Sequence, residues 1–193
     1  MRKPVLLIGM MGCGKSTVGR LLAERMGVSL IDLDGEITRA AGKSIPEIFA
    51  EEGDAGFRVH ETAALARALT RPNCVIATGG GIVTREENIR MMREKGVVVW
   101  LCRPLEDMIA DVRQDTRPNL AGDKAERMRT LYAQREHLYE AAAHLTFDNR
   151  LPPRESAKAL QKLLNRKTAP APSQRPALCQ TAIPAPRPAP SSR

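Results

Sequence analysis

The residues from Gly9 to Ser16 carry three glycines, a lysine and a serine at the spacing G-x-x-x-x-G-K-[ST]. Glycines let the backbone curl so that its N–H groups point at phosphate oxygens, and the N-terminus of a following helix adds partial positive charge there. In this pattern the lysine reaches the β- and γ-phosphates, and the serine hydroxyl ligates Mg²⁺. The sequence therefore predicts a site for a magnesium nucleotide, formed by Gly12, Cys13, Gly14, Lys15, Ser16 and Thr17.

Two acids, Asp32 and Asp34, end the apolar run that begins at Leu30. Phosphate-loop enzymes usually place a carboxylate near Mg²⁺ at the end of a strand. Two other apolar runs continue into Thr78–Gly81 and Cys102–Pro104, which contain no acid. In an extended segment residues i and i+2 face the same side, so both carboxylates are predicted to face one site. We expect Asp32 to lie near the metal or its waters and Asp34 to meet an acceptor hydroxyl as orienter or general base.

Three consecutive glycines, Gly79, Gly80 and Gly81, follow another apolar run. At the carboxyl edge of a parallel sheet such a loop allows close backbone approach, which favours a wall facing a substrate. Arg58 near a helix start could bind a carboxylate through a bidentate fork. Arg135 lies among acids that could form ordinary surface pairs with it. From the pattern alone, each of the two arginines could bind a substrate or could be an ordinary surface residue.

The elements that must position these residues follow from short apolar runs at helix-sized intervals. Alternation of strands and helices favours an α/β fold with a parallel sheet covered on both faces. The strand candidates are Pro4–Ile8, Ser29–Ile31, Cys74–Ala77, Val97–Leu101 and His144–Phe147. The helix candidates are about 16–26, 36–41, 45–52, 57–70, 85–94, 104–114, 124–141 and 154–165. Ser44, Thr84 and Asp123 each lie three positions before a glutamate and are predicted helix caps, and Gly53 is a predicted helix stop.

Composition limits the class of protein. At 193 residues and 42% hydrophobic content, one domain with a substantial core is expected. The net charge of +8 suits anionic small substrates, and aromatics at 3% without a basic block argue against a nucleic-acid partner. The four cysteines lack disulfide or zinc spacing, which fits a reducing cytoplasm. No run approaches the ~20 apolar residues of a membrane span, so no membrane association is expected.

Taken together, several segments of the chain resemble the shikimate kinase family over about residues 4–165. The resemblance implies a three-layer α/β/α fold of the nucleoside-monophosphate-kinase type, with a five-stranded parallel sheet. It implies transfer of phosphate from MgATP to the 3-hydroxyl of shikimate, a step toward the aromatic amino acids. The segments that carry the resemblance are Gly9–Thr17, Asp32–Asp34, Gly42–Phe49, Gly53–Glu61, Gly79–Gly81, Thr116–Pro118 and Arg135–Tyr139.

The resemblance also implies roles for particular residues. Shikimate would be bound by Asp34, Arg58, Gly80, Gly81 and Arg135, with the two arginines on its carboxylate. The catalytic residues would be Asp34, Lys15 and Arg117, with Lys15 stabilising charge on the transferred group. Arg117 would also bind the ATP phosphates from a mobile lid.

The predicted lid, residues 114–123, is a polar loop with proline and glycine between two helix candidates. Its closure would exclude water from the site. A kinase needs this exclusion because water would otherwise accept the phosphate of ATP. Arg113 and Arg150 are candidate adenine contacts. Residues 1–167 are expected to form the catalytic domain, as a monomer, and the Pro/Ala-rich residues 168–193 a disordered tail.

Two other functions remain possible from the residues alone. One is a gluconate-type or other small-molecule kinase on the same fold. The other is an ATP-binding regulatory or nucleic-acid-associated module that uses the loop as a switch. Asp32–Gly35 fits the D-x-x-G of regulatory GTPases, but no N-K-x-D guanine motif occurs.

Overall fold

The structure, a computed structural model, describes residues 3–111 and 124–166 of the chain. Within these ranges it contains five β-strands, seven α-helices and one short 3-10 turn. The predicted lid with Arg117 lies outside the described residues, as do Arg113 and the predicted tail, residues 168–193.

All five strands belong to one parallel sheet in the order β2-β3-β1-β4-β5. They are β1 (Val5–Ile8), β2 (Ser29–Asp32), β3 (Cys74–Ala77), β4 (Val97–Cys102) and β5 (Leu145–Asp148). Each coincides, within two residues at either end, with one of the apolar runs in the sequence. The predicted α/β class with a five-stranded parallel sheet is confirmed.

The central strand is β1, in which Leu6 lies opposite Ile76 of β3 and Val98 of β4. Every residue of β1 is buried. A continuous apolar run of this kind is what a parallel strand requires when helices cover both faces of its sheet.

The helices and the turn occupy the intervals between the strands. They are α1 (Lys15–Met26), α2 (Leu33–Ala41), α3 (Ile45–Ala68), a 3-10 turn (Ile82–Thr84), α4 (Glu86–Lys95), α5 (Leu105–Asp111), α6 (Lys124–Ala142) and α7 (Pro153–Arg166). α1 packs against β1, β2, β3 and α7, while α4 and α6 pack against β4 and each other. The sheet is thus the middle of three layers.

Two helix boundaries differ from the prediction. α2 begins at Leu33, directly after β2 and three residues earlier than expected, because the Asp32 carboxylate caps it by accepting from the Asp34 N–H at 3.2 Å. The two helices predicted over 45–52 and 57–70 form the single α3. Gly53, the predicted stop, is instead a kink within it, with φ 68° and ψ −173°.

The predicted helix caps have three different outcomes. Ser44 forms a complete capping box with Glu47 at the start of α3, as predicted. The cap at Thr84 is wrong, because Arg85 occupies the cap position of α4 and Thr84 Oγ1 donates to the Gly81 carbonyl at 2.8 Å. The third, Asp123, lies outside the described residues.

Within residues 3–111 and 124–166, none of the helices combines the length and apolar character needed to cross a membrane.

Candidate active site

The phosphate loop joins the central strand to α1 and forms one wall of a cavity of about 480 Å³. Gly14 is the N-cap of α1 and Lys15 its first residue, so the loop leads straight into a helix N-terminus. Gly12, Gly14, Lys15, Ser16 and Thr17 line the cavity. Cys13 lies in the same loop and is fully buried.

Lys15 and Ser16 make different contacts within this site. The Lys15 ammonium donates to the carbonyls of Gly9 and Met10, each at 2.8 Å, and its side chain is largely buried. Ser16 Oγ donates to Asp32 Oδ2 at 3.1 Å. The lysine charge is therefore inside the loop curve, and the serine hydroxyl is directed to the carboxylate at the end of β2.

Two side chains outside the loop hold its carbonyl groups. Arg103, just after β4, donates to the Gly12 carbonyl at 3.1 Å. Asn149, just after β5, donates through Nδ2 to the Cys13 carbonyl at 2.7 Å. Both also line the cavity, so the loop is supported from the two strands on one side of β1.

Asp32 and Asp34 both line this cavity, but not by the predicted strand alternation. Asp32 is the last residue of β2, whereas Asp34 lies in the first turn of α2. The capping bond of Asp32 turns the chain into a helix at once, so the extended geometry ends at Asp32. The expectation of a shared site is correct, and the geometry from which we derived it is wrong.

Arg58 lies in α3 beyond the kink, and its side chain is only 7% exposed. Its Nη1 donates to Glu61 Oε2 at 2.6 Å, and its Nη2 donates to Asp54 Oδ1 at 3.0 Å. Arg58 Nε and Glu61 Oε1 are buried without hydrogen-bond partners among the described residues. Arg58 is thus not an ordinary surface arginine, since a buried donor remains to be satisfied.

The three glycines connect the arginine to the acids. An alanine Cβ at Gly81 would lie 2.4 Å from Arg58 Nη1, and one at Gly79 would lie 3.2 Å from Asp34 Oδ1 and 2.8 Å from Glu61 Oε1. At Gly80 the same atom would lie 3.3 Å from the backbone N of Met11. The glycine loop therefore contacts the phosphate loop and the groups predicted to bind the acceptor.

Arg135 is buried on α6 and is directed to the same loop. Its Nη1 lies 3.5 Å from the Gly80 carbonyl oxygen. Arg135 and Asp54 also line a second cavity, of about 530 Å³. The structure thus places both predicted arginines against residues of Gly79–Gly81.

Glu61 has the most unusual charge environment of this group. Burial raises the pKa of Glu61, the neighbouring Arg58 opposes that rise, and the Asp34 carboxylate adds to it. The pKa of the Arg58 guanidinium is raised although its burial acts in the opposite direction, because Glu61 and Asp54 favour the charged form. Charges of both signs are therefore held together out of water.

The oxygen atoms around Ser16 suit a magnesium ion. A hydroxyl and a carboxylate within 3.1 Å of each other are hard oxygen donors. Mg²⁺ typically takes one or two such protein groups and fills its other positions with phosphate oxygens and water. The residues present therefore fit the metal that the phosphate loop predicts.

Four residues that support the site carried no assigned role from the sequence. A role for Glu61 and Tyr139 in the site can be recognised only once their burial is known. Their one signal in the sequence is that each lies one helical turn from a predicted arginine on the same helix. Arg103 and Asn149 follow strand ends, and that position was their only signal. Arg150, an adenine candidate, lines the phosphate-loop cavity and pairs with Asp148 at 2.6 Å.

The phosphate loop lies next to a glycine loop that two buried arginines contact, at the carboxyl edge of a parallel sheet. These are the two halves that a small-molecule kinase of the P-loop class requires. The model of the family described as shikimate kinase matches residues 11–165. The chain therefore belongs to the shikimate kinase family.

Curated relatives agree with this family over most of the chain. A shikimate kinase of Nitrosomonas europaea is 42% identical over 165 residues, which cover 84% of this chain and 77% of the relative. A shikimate kinase of Neisseria gonorrhoeae is 42% identical over 164 residues, covering 84% and 96%.

A solved structure, shikimate kinase from Acinetobacter baumannii in complex with shikimate, has a TM-score of 0.83 and 38% identity to this chain. The match covers 88% of this chain and 97% of that one. The chain is accordingly an ATP-dependent phosphotransferase that uses Mg²⁺ and acts on shikimate.

Proposed function

We propose that Asp34 orients the 3-hydroxyl of shikimate and accepts its proton, while Arg58 and Arg135 bind the shikimate carboxylate. The observation that carries this proposal is the convergence of these groups on three glycines. Arg58 lies against Gly81, Asp34 lies against Gly79, and Arg135 is directed to Gly80. A ring with a carboxylate at one end and hydroxyls at the other matches this separation of charges.

On the donor side, we assign the ATP phosphates to Gly12, Cys13, Gly14, Lys15, Ser16 and Thr17. Ser16 and Asp32 are the residues that would hold Mg²⁺, which when bound neutralises phosphate charge. Arg117, in the predicted lid, completes the proposed site from outside the described residues. The hydrogen bonds from Arg103 and Asn149 to the loop carbonyls support this assignment, because they keep the loop N–H groups turned toward the ligand side.

The transfer step follows from these positions. The 3-hydroxyl oxygen forms a bond to the γ-phosphorus as the bond from that phosphorus to the β,γ-bridging oxygen breaks, so ADP departs with the electron pair. The hydroxyl proton goes to the Asp34 carboxylate. The Lys15 ammonium stabilises the negative charge on the transferred group, which is the main way proteins accelerate phosphoryl transfer.

We further propose that residues 1–167 are the catalytic domain, that it acts as a monomer, and that it is cytoplasmic. The family match over residues 11–165 supports that extent. Among the described residues Cys13, Cys74 and Cys102 form no disulfide, which is compatible with a reducing compartment. Light scattering on the purified chain tests the monomer.

A coupled ADP-release assay tests the acceptor, with shikimate, gluconate, nucleoside monophosphates and RNA as alternatives. We expect turnover with shikimate alone, and phosphorus NMR of the product should show a phosphomonoester at the 3-position. The Asp34→Asn variant should retain shikimate binding and lose turnover. ADP release that does not depend on shikimate, or a preference for another acceptor, would overturn the function.

A further inference from the structure

The Tyr139 hydroxyl touches the glycine loop from inside the protein. Tyr139 lies on α6 one turn after Arg135 and is fully buried. Its hydroxyl donates to the Gly80 carbonyl at 2.5 Å, and its ring stacks on Trp100 at a centroid distance of 5.9 Å. Two side chains of one helix are therefore directed to the same carbonyl, and the tyrosine makes the shorter contact.

This contact fixes more than one atom. A trans peptide is planar, so its carbonyl and the N–H of the next residue point in opposite directions. When Tyr139 holds the Gly80 carbonyl on the interior side, the Gly81 N–H is turned away from Tyr139. Arg58 packs on that residue, since an alanine Cβ at Gly81 would lie 2.4 Å from its Nη1.

We propose that Tyr139 is a positioning residue for the acceptor, which orients the Gly80–Gly81 peptide so that its N–H faces shikimate beside Arg58. This inference rests on the acceptor site described under the proposed function. Tyr139 acts through the glycine loop and does not itself touch the substrate.

Two further observations support a hydroxyl that works as a permanent donor. Burial strongly raises the pKa of Tyr139, and the nearby Arg135 only partly opposes that rise, so the phenol stays protonated at working pH. The hydroxyl also lies 3.9 Å from Met10 Sδ in the phosphate loop. Because the phenol has one hydrogen to donate, the much shorter contact makes the Gly80 carbonyl its main acceptor and the Met10 sulfur a minor one.

The Tyr139→Phe variant tests the inference, because it removes only the hydroxyl. We expect KM for shikimate to rise about three- to tenfold, the effect of one hydrogen bond, with kcat and KM for ATP nearly unchanged. Tyr132→Phe is the matched control. Tyr132 lies on the same helix and its hydroxyl is 3.5 Å from Glu136 Oε1, so this variant should leave all three constants unchanged.

The Trp100→Phe variant distinguishes the effect of the Tyr139 hydroxyl from the effect of ring packing. It loosens the contact with the Tyr139 ring and keeps the hydrogen bond to Gly80. It should lower the unfolding midpoint without raising KM for shikimate. If Tyr139→Phe lowers the midpoint and leaves KM unchanged, or raises the KM of both substrates equally, the inference is wrong.

A second measurement does not require a Tyr139 variant to fold. The chain contains two tyrosines, so 3-fluorotyrosine incorporated into Tyr132→Phe protein labels Tyr139 alone. We expect its fluorine resonance to shift on addition of shikimate and not of gluconate. No shift at a shikimate concentration that saturates turnover would overturn the inference, whereas absence of turnover with shikimate would overturn the proposed function instead.

Discussion

Arg58 illustrates how this chain holds a charge out of water. An unpaired buried guanidinium is costly, so such groups are found with partners. Glu61, with a side chain only 1% exposed, supplies the inner partner, and the more exposed Asp54 supplies the outer one. Both lie on α3 within four residues of Arg58, so the helix itself sets the direction of the guanidinium. A solvated arginine would have no such fixed orientation.

Replacing Arg58 with alanine should mainly weaken shikimate binding. Hydrogen bonds to charged groups contribute about 1.5–3 kcal/mol, so KM for shikimate should rise roughly ten- to a hundredfold. KM for ATP should change little. Arg39→Ala is the control, because Arg39 is exposed and its ion pair, among the described residues, is with Glu36 on α2. Titration calorimetry that gives equal shikimate affinity for wild type and the Arg58 variant would remove this residue from the acceptor site.

Lys15→Ala should instead abolish transfer. The ammonium is directed into the phosphate loop, where charge on the transferred group must be stabilised, so kcat should fall by at least about a hundredfold. Shikimate affinity should be retained in titration calorimetry. Lys43→Ala, which removes an exposed lysine paired with Glu51, should leave kcat unchanged. Comparable turnover in the Lys15 and Lys43 variants would contradict the assignment.

At this scale, the sequence predicted residues whose chemistry is local. Gly12 to Ser16 act through contiguous backbone, so a motif of eight positions was sufficient. Arg58 and Arg135 could not be separated from surface arginines, because burial depends on tertiary packing. Glu61 was missed as a functional residue for the same reason, since a glutamate on a helix is usually exposed.

Among the elements, the junction of β2 and α2 departs most from the expectation. The expectation treats Leu30 to Asp34 as one extended segment, in which Asp32 and Asp34 face the same side. In the structure the strand ends at Asp32 and α2 begins at Leu33. One carboxylate oxygen of Asp32 accepts from the Asp34 N–H and the other accepts from the Ser16 hydroxyl. Ser44 was recognisable as a cap from the glutamate three positions later, whereas Asp32 has a glycine at that position, so the sequence carried no such signal for its cap.

The kink in α3 should be sensitive to Gly53. Its φ of 68° with ψ of −173° belongs to a region that residues other than glycine rarely adopt, so Gly53→Ala should destabilise the protein by about 1–3 kcal/mol. Because Arg58 lies just beyond the kink, KM for shikimate should also rise. Gly35→Ala is the control for urea unfolding, since Gly35 lies in α2 with open space around it and alanine favours helix. Equal unfolding midpoints for the two variants would show that alanine can adopt the backbone conformation of Gly53 without strain.

For the molecule as a whole, His144 should make stability depend on pH. Its Nδ1 accepts from the Val98 N–H at 3.0 Å, at the beginning of β4 and β5. Burial lowers the pKa of His144 below its usual value near 6.5, and the positive charges of Arg93 and Lys3 lower it further. The unfolded chain therefore takes up the proton first as pH falls. The contribution of neutral His144 to the free energy of unfolding is fully present above pH 6.5. It declines as the pH falls from there toward the lowered pKa of His144 in the folded protein.

Urea unfolding at pH 7.5 and pH 5.5 measures this dependence. His144→Asn retains a side-chain acceptor that does not titrate, so its loss of stability between the two pH values should be smaller than that of wild type. The same loss in both proteins would exclude His144 as the cause.

Truncation after Lys167 tests the extent of the catalytic domain. The family match ends at residue 165, and α7 ends at Arg166. We expect kcat and both KM values to stay within about twofold of the full chain. A large loss of activity would show that residues 168–193 contribute to catalysis.

The strand order has a consequence for synthesis of the chain on the ribosome. β1 pairs with β3 and β4, and β2 pairs with β3, so neither of the first two strands has a partner before Cys74 emerges. Both remain unpaired for the first 73 residues, and parallel pairing over such separations forms slowly. The buried apolar strand that ends in the phosphate loop is thus exposed longest during translation. A nascent chain arrested before β3 should bind a chaperone, whereas one arrested well beyond β4 should not.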